Sequence, residues 1–277
     1  MTGPTQARVP AFPGFEALMD AAWPAPDRSE ANGWVLRAAA GVTQRANSVW
    51  PREPDGDKQQ QYEALRAARL WYRGRRLPLI FQVFDDPRST GLNAILDAEG
   101  FTRQSETLVM CRSNGVPDAD QPDVLQPGVE VSTAPSDEWL ELWWRVDGRG
   151  GAPERETARN ILSGCRSLYA LVRSEDGVPA AVGRLALPSA DVARSGTGSW
   201  GGLYCMATRP DARRRGHAFR ILQALLHEGA ARNLAGYWLL VTAANPGARQ
   251  LYAKAGFQEA GRYLYRQERP KRHLTGC

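Results

Sequence analysis

The segment Met206-Ala207-Thr208-Arg209-Pro210-Asp211-Ala212-Arg213-Arg214-Arg215-Gly216-His217-Ala218 has residue types and spacing suited to holding an anion. An apolar run from Trp200 to Thr208 reads as a strand that passes through a tight loop into a helix. That helix extends over about His217 to Ala235, with Ile221, Leu222, Leu225, Leu226 and Ala230 on one face. The first amides of a helix lack intrahelical partners and lie at the positive end of its dipole, so they favour phosphate oxygens. Gly216 and Ala218 are small where a phosphate must approach the backbone, and Arg213, Arg214 and Arg215 add attraction and bidentate contacts. The spacing Arg-x-x-Gly-x-Ala is neither the Gly-x-Gly-x-x-Gly of dinucleotide folds nor the Gly-x-x-x-x-Gly-Lys of nucleotide hydrolases. A pyrophosphate bound without a metal is the better match.

A second cluster follows. Asn245 is placed to cap a helix that begins with Pro246, the favoured first-turn position for proline. Tyr252 comes seven residues later, close to two turns, and so projects to the same side. If the strand Tyr237–Thr242 runs parallel to Trp200–Thr208, Tyr252 and the arginine-rich loop meet at one edge of the sheet, where sites in such sheets gather. Four cysteines lie far apart and only three histidines exist, so neither a metal site nor a disulfide framework is expected, and the compartment reads as cytoplasmic.

These residues need two sets of positioning elements, and the chain supplies them as a repeat. Leu92-Asn93-Ala94-Ile95-Leu96-Asp97-Ala98-Glu99-Gly100-Phe101 resembles Ala248-Arg249-Gln250-Leu251-Tyr252-Ala253-Lys254-Ala255-Gly256-Phe257, with Leu96 opposite Tyr252. Each copy leads into a strand, Thr107–Cys111 and Tyr263–Arg266. Each follows a helix and a strand: Lys58 to Tyr72 with Leu79–Phe84 in the first, the His217 helix with Tyr237–Thr242 in the second. Before these, the second half shows a helix capped by Ser136 or Asp137 with Trp139, Leu140, Trp143 and Trp144, then a helix over Ala152 to Leu162. Strands at Ser167–Arg173 and Pro179–Leu187 flank the hairpin signal Ser174-Glu175-Asp176-Gly177. Strands alternating with helices predict an α/β (α+β) fold of two tandem domains, each a mixed sheet flanked by helices. The Pro- and Asp-rich seam at Ser113–Gln126 divides residues 1–118 from 127–277.

Arg213-x-x-Gly216-x-Ala218 after a strand, followed by Asn245-Pro246 and Leu251-Tyr252-Ala253-Lys254-Ala255-Gly256-Phe257, resembles the GNAT superfamily of acetyl-CoA-dependent N-acetyltransferases over about Gly128 to Arg266. The resemblance implies acetyl-CoA as cosubstrate. Backbone groups of Met206, Ala207 and Thr208 would pair with the pantetheine arm like an added strand. Amides from Arg214 through Gly216, His217, Ala218 and Phe219 would hold the pyrophosphate, Asn245 would contact the pantetheine, and Tyr252 would protonate the departing thiolate. The first half resembles a degenerate copy: Asp57 to Ala67 contains no glycine, and Leu96 replaces the tyrosine, so no acetyl transfer is expected there. A catalytically silent acyl-CoA sensor is the alternative.

The resemblance implies an amine acceptor; a small metabolite, an antibiotic or a protein lysine would all fit, and a small molecule is expected. The strand Ser199–Thr208 carries no carboxylate, which leaves Asp137, Glu141 and Asp147 as candidate bases through water, and Cys205 as a conceivable acyl carrier. Trp139, Trp143 and Trp144 supply aromatic area for an acceptor site, with core packing the simpler account of at least one of them. The loop Pro188–Ser199 and the segment Arg45–Trp50 are further candidates to border it. The surplus of 35 basic over 30 acidic residues is modest, and the arginine cluster is local, so nucleic acid is not an expected partner. Runs such as Trp238-Leu239-Leu240-Val241 are too short to span a bilayer, and Met1 to Phe15 shows no signal-peptide core. A monomer or homodimer is expected.

Overall fold

The two Gly-Phe repeats end two helices by the same device. Gly100 and Gly256 adopt φ of +78° and +79°, a left-handed conformation that glycine takes without a Cβ penalty. Phe101 N–H then donates to Leu96 O at 2.9 Å, and Phe257 N–H to Tyr252 O at 3.0 Å, closing the last turn of each helix.

The computed structural model describes residues 12–114, 128–189 and 198–269. In chain order the first elements are α1 (Phe12–Ala22), β1 (Asp27–Ala31), β2 (Trp34–Ala38), β3 (Trp50–Pro51), α2 (Lys58–Gly74), β4 (Ile80–Phe84), α3 (Thr90–Ala98) and β5 (Thr102–Ser113). They are followed by β6 (Val129–Ser132), α4 (Asp137–Asp147), α5 (Ala152–Ser163), β7 (Ser167–Arg173), β8 (Pro179–Ala186) and β9 (Trp200–Thr208). The last are α6 (His217–Ala230), β10 (Gly236–Thr242), α7 (Pro246–Lys254) and β11 (Gln258–Gln267). The series β1–β2–β3–α2–β4–α3–β5 recurs as β7–β8–β9–α6–β10–α7–β11, so the internal repeat extends well beyond ten residues.

Two compact units result, one of Met1–Pro24 with Leu108–Gly261, the other of Ala25–Thr107 with Arg262–Cys277. In the first, the sheet runs β5-β10-β9-β8-β7-β6; in the second, β4 lies beside β11 and β11 beside β5. Tyr263 to Gln267 of β11 pair antiparallel with Phe84 to Ile80 of β4. At the far end of β5, Asn114 N–H donates to Ala235 O at 2.9 Å, just before β10. The last strand of each repeat therefore completes the sheet of the other. Unit edges fall within β5 and β11 and after Pro24, whereas the seam expected at Ser113–Gln126 lies, beyond Asn114, outside the described residues.

In the first unit β6, β7, β8 and β9 are antiparallel neighbours and β9 runs parallel to β10. The apolar face of α6 buries Ile221, Leu222, Leu225 and Leu226 with Ala170, Val172, Leu185, Leu203 and Leu239. Each of these α6 side chains is worth roughly 1.5–3 kcal/mol on burial. Arg184 on β8 is 0% exposed. It has no carboxylate partner among the described residues and instead donates to Ser167 Oγ (3.0 Å), Ala22 O (2.9 Å) and Leu162 O (3.2 Å). Its guanidinium faces the rings of Trp23, Tyr204 and Tyr169. That cluster ties the end of α1 into this unit.

In the second unit β1, β2 and β3 form an antiparallel set, and Val49 bridges Phe81 of β4 in parallel. Its core gathers Trp34, Leu65, Tyr72, Phe81, Leu92, Leu96 and Phe101. Arg37 is buried and donates to Ser48 O, Ser48 Oγ and Gln82 Oε1. Asn47 Oδ1 accepts from the amides of Ala39 and Gly41. The polar side chains of Asn47 and Ser48, in the segment expected to border an acceptor, are thus engaged inside this unit.

Candidate functional site

Two irregularities in β9 open an edge in the sheet. Parallel pairing with β10 runs from Trp200↔Gly236 to Leu203↔Leu239 and no further. Past that point the β10-facing edge of Tyr204–Thr208 has no ladder among the described residues. On its other edge, β9 pairs Tyr204 with Arg184 and Ala207 with Val182, so Cys205 and Met206 oppose Gly183 alone. This is a β-bulge, and Cys205 holds a φ of +54° within it. A bulge bends its strand, and a non-glycine residue in the left-handed region stores strain of about 1–3 kcal/mol. Met206, Ala207 and Thr208 follow it immediately, presenting backbone N–H and C=O groups to an extended ligand as an open sheet edge does.

The loop after β9 ends in a row of free amides. Arg214 (φ +61°) and Gly216 (φ +82°) are both left-handed, which turns the chain sharply before α6. The first helical bond is Arg220 N–H to Gly216 O, 3.1 Å. Among the described residues the amides of Arg214, Arg215, Gly216, His217, Ala218 and Phe219 have no hydrogen-bond acceptor. Six successive donors at the positive end of a 14-residue helix form an anion cradle. A Cβ on Gly216 would meet nothing within 4 Å, so the backbone there faces open space. Arg213, Arg214 and Arg215 are exposed beside it, and Arg213 Nε donates back to Thr208 O at 3.3 Å. His217 is buried with Nδ1 unpartnered, and burial together with Arg220, Arg215 and Arg209 lowers its pKa.

Asn245 caps α7 through Oδ1, which accepts from Ala248 N–H at 3.0 Å, with Pro246 first in the helix. Tyr252 is 7% exposed and packs edge-on against Phe257. Its hydroxyl has no hydrogen-bond partner among the described residues, yet it is not one of the sealed, unpartnered polar atoms. The ring is therefore core while the hydroxyl keeps an opening. Burial, then the charge of Asp147, pushes the phenol up to about 12. Asp147 ends α4; burial raises its carboxyl and Arg213 pulls it down. Asp147 of α4 thus lies within electrostatic reach of Arg213 of the loop and of Tyr252 of α7.

Other candidates separate from this cluster. Trp139 (1% exposed) donates from Nε1 to Ala170 O at 3.0 Å and Gly183 O at 3.2 Å. Trp143 (5% exposed) packs with Trp23 and Trp139. Both are core rather than acceptor surface, because the apolar face of α4 lies on β8 and β9; Trp144 is half-buried. Asp137 pairs with Arg159, and Glu141 with Arg145 and Arg155. Most of the loop expected to border the acceptor, residues 190–197, lies outside the described residues. No His, Cys, Asp or Glu cluster fit for a metal occurs among the described residues.

The first repeat closes the equivalent place. Asp57 caps α2, its Oδ2 accepting from Gln59 N–H (3.1 Å) and Gln60 N–H (3.3 Å). The first amides of α2 thus already face a carboxylate, where those of α6 stay free. Leu96, in the place of Tyr252, is fully buried in the core. The missing glycines pointed to this repeat's degeneracy; the Asp57 plug was also readable, as an aspartate directly before an amphipathic run.

Solved structures of GNAT-type N-acetyltransferases share this fold. The GCN5-related N-acetyltransferase from Kribbella flavida aligns with TM-score 0.59 and 16% identity over 95% of this chain and 98% of its own. A tandem GNAT protein from the clavulanic acid biosynthesis pathway aligns with TM-score 0.62 and 15% identity over 97% and 91%. Among curated proteins, the uncharacterized N-acetyltransferase YobR of Bacillus subtilis (strain 168) is 26% identical over 264 residues, 92% of this chain and 98% of that protein. The family model described as "Probable histone acetyltransferase Rv0428c C-terminal" matches residues 14–266, and the chain belongs to that family. It is an N-acetyltransferase of GNAT type. No helix among the described residues is long and apolar enough to cross a membrane.

Proposed function

We propose that the second repeat, within residues 127–277, transfers the acetyl group of acetyl-CoA to a primary amine of a small-molecule acceptor, and that residues 1–118 form a silent copy. The observation that carries this reading is the run of free amides from Arg214 to Phe219 beside the open edge of β9 and the Tyr252 hydroxyl. Those amides hold the pyrophosphate, with Arg213, Arg214 and Arg215 adding charge-assisted contacts. Met206, Ala207 and Thr208 offer their backbone to the pantetheine arm. Asn245 has its Oδ1 engaged in the cap and turns its remaining amide group to the same arm.

Orientation supplies most of the rate: the amine attacks the thioester directly, and no covalent enzyme intermediate is needed. Tyr252 donates its phenol proton to the leaving sulfur. A phenol held near 12 stays protonated at neutral pH, and general-acid help of this kind contributes on the order of 10²–10⁴-fold. Tyr252→Phe is expected to lower kcat at least about tenfold with acetyl-CoA affinity unchanged by calorimetry. An unchanged kcat would assign the proton to another group.

A further inference from the structure

Trp139 belongs to the core by burial, yet the carbonyls its indole holds lie opposite the β9 bulge. Ser136 caps α4 by accepting from Trp139 N–H at 3.1 Å, which sets this tryptophan in the first turn. Its ring packs against Trp143, with centroids 6.0 Å apart, and edge-on against Tyr169 at 5.1 Å. From there Nε1 donates to Ala170 O at 3.0 Å and to Gly183 O at 3.2 Å. A buried indole N–H needs an acceptor, and many carbonyls of a sheet would satisfy it. This one bonds both members of a β7–β8 pair, Ala170↔Gly183, and Gly183 is the β8 residue that alone faces Cys205 and Met206.

From the other face Gly183 is held by packing. Tyr169 meets α4 while Ala170, the next residue, joins the α6 core, so the two helices cover opposite faces of the sheet. A Cβ on Gly183 would lie 2.6 Å from both Ile221 Cγ2 and Met206 Sδ, and 3.2 Å from Leu225 Cδ1. The Met206 side chain thus takes the space where glycine has none. A bulge interrupts its ladder, and a slip of one residue would turn every side chain beyond it to the other face. Such a slip would set Val182 or Arg184 opposite the doubled residues. Arg184 is tied to Ser167, Ala22 and Leu162, and Gly183 is fixed between the indole and Met206. The bulge in turn decides which backbone groups of Met206, Ala207 and Thr208 turn away from β8.

We propose that Trp139 is a positioning residue for acetyl transfer: its indole N–H pins the β8 carbonyl opposite the bulge and keeps the Met206–Thr208 edge in register for the pantetheine arm. The proposal rests on the pantetheine reading above. The indole touches neither reactant and acts through Gly183 and the bulge. Its effect therefore falls on the part of acetyl-CoA affinity that the arm supplies, and leaves the part supplied by the α6 amides as it is.

The test uses the full chain, Trp139→Phe, and Trp143→Phe as the control. Trp143 is the same residue type on the same helix and nearly as buried, and its indole N–H makes no hydrogen bond among the described residues. Calorimetry with acetyl-CoA and with 3′-phospho-ADP, the part of CoA that lacks the pantetheine arm, separates the two contributions. The wild-type protein should bind acetyl-CoA more tightly than the fragment. Trp139→Phe should raise Kd for acetyl-CoA about fivefold, the scale of one misplaced hydrogen bond, with Kd for the fragment unchanged. Trp143→Phe should change neither. An unchanged Kd for acetyl-CoA in Trp139→Phe, an equal rise for both ligands, or the same rise in Trp143→Phe would overturn the proposal. If Trp139→Phe does not fold, nuclear magnetic resonance on the wild-type protein decides. The Trp139 indole proton should shift on saturation with acetyl-CoA and hold still with 3′-phospho-ADP, and a resonance that acetyl-CoA leaves in place would overturn the proposal. Wild-type protein that binds acetyl-CoA no more tightly than the fragment would instead remove the pantetheine reading, and the proposal with it.

Discussion

Gly216→Ala separates backbone strain from ligand contact at the head of α6. Gly216 sits at φ +82° and ψ −5°, where an L-residue costs roughly 1–2 kcal/mol. No atom lies within 4 Å of the added methyl group, so sterics within the protein add nothing. Stability should therefore fall by about 1–2 kcal/mol, a Tm drop of a few degrees. The methyl group also enters the space that the free amides face. If it displaces the diphosphate from even one charge-assisted amide bond, about 1.5–3 kcal/mol is lost and Kd for acetyl-CoA rises at least tenfold. Gly256→Ala is the control: φ is +79° and its nearest atom, Arg112 Cδ, is 3.7 Å away. It should cost the same stability and leave affinity alone. Differential scanning calorimetry and isothermal titration on both variants give the comparison. Equal Tm losses with unchanged Kd in Gly216→Ala would refute the assignment of this loop to the pyrophosphate.

Arg184→Met leaves the Ala22 and Leu162 carbonyls and the Ser167 hydroxyl without their donor, and should lower unfolding free energy by about 3 kcal/mol or more in urea titrations. Asp57→Ala removes the α2 cap; thermal melts should show a loss of about 1 kcal/mol, and calorimetry should still count one acetyl-CoA per chain. Burial raises Tyr72 and Tyr252 from 10.0 to about 12 each. The native state then keeps protons that the unfolded chain surrenders, so their contribution is whole below pH 10 and is lost as pH rises toward 12. Urea midpoints measured across that window should decline, and Tyr252→Phe should flatten part of the slope.

Local chemistry made much of the second repeat legible. Strands β7 and β9 begin and end where the sequence predicts, because a Gly-containing hairpin and a proline turn bound them. The caps Ser136 and Asn245 start α4 and α7 as expected, Ser136 Oγ accepting from Trp139 N–H at 3.1 Å. Helix α6 stops five residues short of the expected Ala235, where Asn233 takes a φ of +57°. β1 was hidden because Asp27-Arg28-Ser29-Glu30-Ala31 has no apolar alternation. The exchange of β5 and β11 was hidden for another reason: a strand's pattern records which face is buried, not which neighbour pairs with it. The Cys205 bulge is likewise a mismatch in count between β8 and β9, present in neither strand alone. The helical spacing of Trp139, Trp143 and Trp144 suits a core face or an acceptor site alike, and only the sheet beneath α4 assigns Trp139 and Trp143 to the core. Asp147 could be named as one of three carboxylates, but only packing left it unpaired.

The most direct measurement is a residue-resolved amide chemical-shift titration of the full chain with acetyl-CoA. Large shifts are expected for the amides of Arg214 through Phe219 and for Met206–Thr208, with the α2 amides of Gln59 and Gln60 unmoved behind the Asp57 carboxylate. Shifts concentrated at α2, or a saturated complex in which the 214–219 amides stay still, would contradict the assignment of the cosubstrate to the second repeat.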